Sequence, residues 1–203
     1  MILEACVENY QDAILASRKG ANRIELCENL AVGGTTPSYG TIKLCRQNLK
    51  IPLAVMVRPR GGDFVYSEEE ILIMQEDIRI CKEIGVQGVV LGFLTPNNRI
   101  DFEKTNALVS LAKPMQVVFH KAFDEINNPI EAMEQLIQLG VDRILTSGAK
   151  PTAKEGQELL RNLISKATGR IGVVVAGKVT FENIKELQSL IPATEFHGKK
   201  IVG

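Results

Sequence analysis

The chain carries no excess charge of either sign, since its 24 lysines and arginines balance its 24 aspartates and glutamates. This balance excludes the basic surface that a nucleic-acid-binding protein needs. No apolar run approaches the roughly 18 residues of a membrane span, so we expect no membrane partner. Histidine is also scarce, and its two copies, His120 and His197, argue against a histidine-rich zinc site.

Cysteine is the next scarce residue, and its four copies, Cys6, Cys27, Cys45 and Cys81, show no tight pairing. The N-terminal stretch carries Glu4 and no basic segment, so we expect no secretory signal peptide. Together these features predict reduced thiols in a cytoplasmic protein. Cys45 and Cys81 fall in register with apolar residues of helical patterns, and we expect them to pack on helix faces.

Eight short apolar runs are present, and each is predicted to form a strand. They are Ile2–Val7, Ile24–Cys27, Leu53–Val57, Val89–Leu94, Gln116–His120, Arg143–Thr146, Ile171–Val175 and Thr194–His197. Amphipathic helical patterns separate them, and the strands start roughly 20–35 residues apart, the size of a βα unit. Near-continuous hydrophobicity is typical of parallel strands that helices cover.

Capping signals mark the starts of several helices. Ser67 with Glu70 has the spacing of a capping box, and Thr152 with Glu155 repeats that spacing. Thr180 is expected to cap the last helix. Each of these signals places a helix start between two predicted strands.

Eight strands with seven intervening helices predict an α/β fold, a TIM-type (β/α)8 barrel formed by one domain over residues 1–203. The chain ends about five residues after the eighth run, so we expect the last helix to be missing or shortened. Such an omission would bare an apolar flank that a second subunit covers, which predicts a homo-oligomer. A doubly wound open sheet is the alternative fold, but it usually carries a glycine-rich first turn.

Two Glu-x-Cys motifs lie at the ends of the first two predicted strands, Glu4 with Cys6 and Glu25 with Cys27. Residues two apart on a strand point to the same face, so both motifs can project into the barrel side by side. Two neighbouring thiolates suit a soft ion such as Cu(I). The alternative is that two small cysteines merely fill the barrel interior.

The segment RPRGGDF after the third strand carries Arg58 and Arg60 beside two glycines. Guanidinium groups and exposed backbone N–H groups together suit a carboxylate or phosphate. The alternative is a tight turn in which Arg58 pairs with Glu4, Glu25 or Glu28.

The segment HKAFD after the fifth strand places His120 where a general base or a metal ligand would stand. Lys121 is adjacent to it, so alternation along the strand predicts that His120 alone faces the barrel axis. A hydrogen-bonded structural histidine is the alternative. Asp124 follows in the same segment as a further candidate.

The remaining strand ends supply Ser147, Gly177 and His197. Many TIM barrels hold a phosphate near the ends of strands 7 and 8, where Gly177 is followed by Lys178 and Gly198 by Lys199. Our candidate anion-binding residues are therefore Arg58, Arg60, Ser147 and Gly177. A glycine after a strand is also ordinary turn chemistry.

At these residues the sequence resembles the CutC copper-homeostasis family. The resemblance rests on ENLAVGGTTPS, RPRGGDFVYS, QGVVLGFLT, FHKAFD, DRILTSG and TEFHG, and it extends from Ile2 to Gly198. It implies a cytosolic, oligomeric TIM-type barrel linked to copper tolerance. It also implies that Cu(I) binds at Cys6 in EACVEN and Cys27 in IELCEN. The turn after the seventh strand departs from the family's PGGG pattern.

Three functions remain open from the sequence. The first is a Cu(I)-binding copper-homeostasis protein with Cys6 and Cys27 as ligands. The second is a lyase, isomerase or hydrolase acting on a small anionic or phosphorylated substrate. Its candidate catalytic residues are Glu4, Glu25, Arg58, His120, Asp124 and His197. The third is an oligomeric barrel with no site of its own.

Overall fold

The computed structural model describes residues 1–203 as eight strands alternating with seven α-helices. The strands are β1 Ile2–Val7, β2 Arg23–Leu26, β3 Leu53–Met56, β4 Gly88–Leu91, β5 Gln116–Phe119, β6 Arg143–Thr146, β7 Gly172–Val175 and β8 Glu195–Gly198. The helices are α1 Tyr10–Arg18, α2 Tyr39–Asn48, α3 Glu68–Ile84, α4 Phe102–Ala112, α5 Pro129–Gln138, α6 Gln157–Ala167 and α7 Ile184–Leu190. Short 3₁₀ turns cover Leu30–Val32 and Lys121–Glu125.

All eight strands pair in parallel in chain order, and β8 pairs with β1 to close the ring. Glu4 on β1 lies opposite His197 on β8 and opposite Arg23 on β2. The closed ring confirms the TIM-type barrel and excludes the open doubly wound sheet. No helix lies between β8 and β1, so the seven-helix expectation also holds.

Strand alternation divides the core into two layers. The outer layer, between the sheet and the helices, contains 52 buried residues. The inner layer lies inside the barrel and contains nine: Cys6, Cys27, Ala54, Met56, Val90, Val118, Leu145, Val174 and Ala176. Because many of the inner side chains are small, space remains at the C-terminal ends of the strands.

The predicted helix starts have mixed outcomes. The capping box of Ser67 and Glu70 is present at the start of α3. Thr152 and Glu155 form the same reciprocal hydrogen bonds, but α6 begins only at Gln157, so that predicted start is wrong. Thr180 likewise closes a turn before α7, because a side-chain bond to the backbone stabilises a turn as well as a helix end. None of the helices combines the length and apolarity needed to cross a membrane.

Candidate functional site

A cavity of about 520 Å³ opens at the C-terminal ends of the strands. Cys6, Glu25, Arg58, His120 and His197 all line it. These residues belong to different strands or to the segments just after them, which is where TIM barrels carry their sites. The fold thus assembles groups that are remote in sequence around one space.

The thiols of Cys6 and Cys27 meet inside the barrel with the carboxyl group of Glu25 between them. Glu25 Oε1 lies 3.5 Å from Cys6 Sγ and 3.3 Å from Cys27 Sγ. The two sulfurs and a carboxyl oxygen lie within 4.8 Å of one another, and all three residues are buried. The Cβ that any other residue would add at Gly34 would lie 3.3 Å from Cys27 Sγ, so the GGTTPS loop approaches the thiol closely.

A second group of titratable side chains adjoins the thiols. His197 Nδ1 lies 2.8 Å from Glu4 Oε1 and 3.8 Å from Glu25 Oε2. Glu4, which is 1 % exposed, also accepts a hydrogen bond from Arg23. Glu4 therefore links the cavity-lining histidine to a guanidinium deeper in the barrel.

The thiol pair is electrostatically asymmetric. The hydrogen bond from Cys27 holds the pKa of the Cys6 thiol well below its usual value, although burial opposes the shift, and His197 adds to it. The same hydrogen bond and burial raise the pKa of the Cys27 thiol well above its usual value. Cys6 is therefore the thiol that ionises first.

The two glutamates of the site have opposite protonation preferences. Burial raises the pKa of Glu25 to about 8, although the positive charge of His197 opposes the shift. Burial also acts to raise the pKa of Glu4, but the hydrogen bond and charge of His197, together with Arg23, outweigh it and lower the pKa to about 2. The His197 pKa is raised well above its usual value, because neighbouring Glu25, Cys6 and Glu4 outweigh burial. A charged Glu4–His197 pair thus stands beside Glu25, which holds its proton to a higher pH than an ordinary glutamate.

Arg58 holds the loops that border the cavity. Its Nη1 donates to the carbonyls of Val32 and Gly34 at 3.0 and 3.1 Å, and its Nη2 donates to the carbonyl of Gly62 at 2.6 Å. Arg58 forms no ion pair, so the alternative in which it pairs with a glutamate is wrong. The Arg58 guanidinium donates to carbonyl oxygens of the neighbouring loops and not to a glutamate carboxylate.

His120 is buried against the cavity wall. Its ring centroid lies 4.9 Å from that of Phe64, which also stacks 4.7 Å from the guanidinium carbon of Arg58. A Cβ at Gly92 would lie 2.6 Å from the ring, so glycine there makes room for the imidazole. Burial, together with the charge of Arg58, lowers the pKa of His120 to about 3, which keeps the ring neutral.

Lys121 lines the cavity together with His120, so the expectation that only the histidine faces inward is wrong. Strand β5 ends at Phe119 and Lys121 begins a 3₁₀ turn, where two-residue alternation no longer applies. Lys121 Nζ lies 2.6 Å from both Asp124 Oδ2 and Ser147 Oγ. Asp124 and Ser147 therefore stand behind the lysine and outside the cavity lining.

The carboxylate of Asp124 is fully engaged by the segment that follows β6. It accepts hydrogen bonds from Thr146 Oγ1 and from the backbone N–H groups of Ser147 and Ala149. These contacts, together with Lys121, offset burial and hold the Asp124 pKa below its usual range. Asp124 therefore holds the segment that follows β6 in place.

The last two candidate anion-binding residues, Gly177 and Arg60, lie in different places. Gly177 lines the cavity with φ +99°, and a Cβ there would lie 2.7 Å from Ser147 Cβ. The structure does not bring Arg60 into the cavity, because its guanidinium bonds Glu70 and Asp63 on the outer side of the loop. Sequence reasoning missed Phe64 and Lys200 as lining residues, along with the space that Gly92 provides.

A closed parallel barrel with a cavity at the C-terminal ends of its strands defines a TIM-type barrel protein. The chain belongs to the CutC family, whose sequence pattern it matches over residues 1–202. It is 46 % identical over 196 residues to the copper homeostasis protein cutC homolog of Mus musculus, covering 97 % of this chain and 72 % of the mouse protein. The Homo sapiens homolog is 45 % identical with the same coverage.

A solved structure gives the same answer for the fold. The crystal structure of a putative copper homeostasis protein CutC from Streptococcus agalactiae superposes with a TM-score of 0.95. The two sequences are 40 % identical, and the superposition covers 100 % of both chains. The resemblance to the CutC family that the sequence motifs indicated is therefore confirmed.

Proposed function

We propose that this protein binds Cu(I) in the cytoplasm as part of copper homeostasis, with Cys6 and Cys27 as the ligands. One observation carries the proposal. The two buried sulfurs and a Glu25 oxygen lie within 4.8 Å of one another, with Cys6 on β1, Glu25 on β2 and Cys27 directly after β2. The names of the mouse and human relatives support the link to copper.

The donor set fits Cu(I) better than a harder ion. Thiolates are soft ligands that select Cu(I), whereas carboxylates alone suit magnesium or calcium. The lowered pKa of Cys6 favours the thiolate that a metal requires. Glu25 hydrogen-bonds both sulfurs, so it orients the two ligands. Four free, buried cysteines agree with a reducing compartment.

A competition titration with a chromogenic Cu(I) chelator tests this proposal on the reduced protein. Cys6→Ala and Cys27→Ala should each weaken the affinity by at least about 100-fold, because one thiolate ligand is lost. Cys45→Ala is the matched control, since Cys45 is equally buried but packs in the outer core. Unchanged affinity in the Cys6→Ala/Cys27→Ala double variant would refute the assignment.

We also propose that the protein forms a homo-oligomer through the flank between β8 and β1. Leu15 of α1 and Phe181 are 49 % and 50 % exposed, and with Val202 they line a groove of about 400 Å³ there. Large exposed apolar side chains clustered around one groove are typical of subunit contacts. Light scattering after size exclusion should give a multiple of 22.3 kDa.

The substitution Leu15→Lys should shift the light-scattering mass toward the monomer, because a charge would enter the contact. Leu44→Lys is the matched control, since Leu44 is also 49 % exposed but lies on α2. A monomeric wild-type protein, or equal effects of both variants, would contradict this interface.

A further inference from the structure

Three residues that line the cavity carry buried hydrogen-bonding atoms that have no partner. Six buried side-chain atoms in the whole chain lack one, and three of them, Arg58 Nε, His120 Nε2 and Glu25 Oε2, belong to cavity-lining residues. Buried polar atoms are normally paired, since an unpaired one costs about 1–3 kcal/mol. Their concentration around one cavity points to a ligand that completes them.

The hydrogen bonding of His120 defines which kind of atom it offers to the cavity. The backbone N–H of Ala122 donates to His120 Nδ1 over 3.2 Å, so Nδ1 is the acceptor of the ring. In a neutral imidazole the other nitrogen then carries the proton. His120 Nε2 is therefore an unpaired donor. Arg58 Nε–H also lacks a partner of normal hydrogen-bond geometry, and the Arg58 guanidinium lies beside the Tyr66 hydroxyl group.

The charged residues around the opening also favour a ligand that accepts hydrogen bonds and carries negative charge. Four lysines line the cavity: Lys121, Lys178, Lys199 and Lys200. Lys121 is paired with Asp124, whereas the other three form no ion pair and are exposed. Glu25 is the only acidic residue of the lining. The cavity thus offers donors and positive charge but almost no acceptor for a cation.

We propose that this cavity binds a small organic anion, a carboxylate or phosphate ester, whose oxygens accept hydrogen bonds from His120 Nε2 and Arg58 Nε. The free ammonium groups of Lys178 and Lys200 attract its charge at the opening. Its carbon skeleton packs on Leu30, Met56 and Leu145, which supply apolar wall. The proposal goes beyond copper binding and does not depend on it, since neither sulfur is among the anion's contacts.

Histidine NMR on the reduced, copper-free protein tests the proposal, because only His120 and His197 contribute signals. The probes are inorganic phosphate, oxalate and 2-phosphoglycolate. At least one should move the His120 Nε2 resonance in a saturable manner at concentrations up to roughly 10 mM. No saturable shift of that resonance with any of the three would overturn the proposal.

Surface variants keep the test independent of folding. Lys178→Ala/Lys200→Ala should weaken probe binding by at least about fivefold, and the effect should shrink at high salt. Lys50→Ala/Lys185→Ala removes the same charge from exposed positions outside the cavity and should change affinity by less than about twofold. Equal affinity in both double variants would place the anion elsewhere and overturn the assignment.

The copper proposal and this one fail separately. Cys27→Ala should lose Cu(I) affinity while keeping the anion-induced shift of His120. Lys178→Ala/Lys200→Ala should weaken anion binding while keeping Cu(I) affinity. If Cu(I) moves the His120 resonance and none of the anions does, the cavity serves the metal alone and the anion proposal is wrong.

Discussion

The two ends of the barrel contain polar clusters whose hydrogen bonding differs. The floor cluster, toward the N-terminal ends of the strands, comprises Glu4, Arg23, Gln116, Arg143 and Glu195. Arg23 donates to Glu4 and, over 2.6 Å, to Glu195, while Arg143 donates to Gln116 over 2.5 Å. Arg143 Nε has no hydrogen-bond partner of its own, but it lies 3.9 Å from the Glu195 carboxylate, so every charge of the floor still faces an opposite charge within the chain.

The residues of the mouth cluster, Glu25, Arg58 and His120, are all buried, and one polar atom of each is unpaired. Buried polar groups therefore differ between the two ends of the barrel. At the floor, opposite charges compensate each other within the chain and hold strands together. At the mouth, one atom of each residue lacks a hydrogen bond, which costs free energy that a bound ligand would recover.

The largest expected effect is at the floor. Arg23→Met removes the partner of the buried Glu4 carboxylate and of the partly buried Glu195 carboxylate, and it should lower the free energy of unfolding by about 3–5 kcal/mol. Urea unfolding at neutral pH measures it. Arg170→Met is the matched control, because its bidentate pair with Glu134 is solvent-exposed and should matter far less. Equal losses in both variants would remove the distinction between floor and surface.

A smaller effect is expected where the mouth is tightly packed. Gly92→Ala places a methyl group 2.6 Å from the His120 ring and should lower the free energy of unfolding by about 1–3 kcal/mol. It should also displace the His120 NMR signals. Gly40→Ala serves as the control, since no atom lies within 4 Å of its added Cβ. An unchanged His120 spectrum would mean that the ring is not held as described.

The protonation of His120 gives an effect that depends on pH. Its pKa is about 3 in the folded protein against an ordinary 6.5, so between these values the unfolded chain binds more protons. The contribution is fully present above pH 6.5 and is lost as pH falls toward 3. Compared with wild type, His120→Gln should reduce the acid-side slope of unfolding free energy by up to about 1.4 kcal/mol per pH unit. Parallel slopes between pH 6.5 and 4.5 would contradict a neutral buried ring.

The smallest expected effect belongs to the lysines of the opening. Lys178→Ala/Lys200→Ala should leave the urea midpoint unchanged in anion-free buffer, because neither side chain has an ionic partner in the fold. Stabilisation of the wild type by added phosphate should be weaker in this variant. A marked loss of stability in anion-free buffer would instead mean that these lysines stabilise the folded protein.

Local patterns were sufficient to predict most of the architecture. The strands Ile2–Val7 and Arg143–Thr146 match the predicted apolar runs, and the others shift by one to three residues at an end. The Ser67 capping box was readable because its two hydrogen bonds are local. Thr152 and Thr180 misled for the same reason, since local bonds do not distinguish a turn from a helix start.

The arrangement of the site was only partly predictable. Alternation along β1 and β2 correctly placed Cys6 and Cys27 on the inner face, because that periodicity is intrinsic to a strand. The competition for Arg58 among carbonyls, carboxylates and an anion depends on loops that meet only in the folded chain. The outward turn of Arg60 toward Glu70 has the same origin.

By itself, the sequence determined eight strands with seven intervening helices, the inward face of the thiols and membership of the CutC family, because these depend on periodicity and local motifs. Tertiary structure decided that Glu25 stands between the two sulfurs, that Gly92 admits the His120 ring, and that its Nε2 stays unpaired. Whether a polar atom has a hydrogen-bond partner depends on its neighbours in the folded chain. Spacing along the sequence therefore does not show which polar atom will lack a partner.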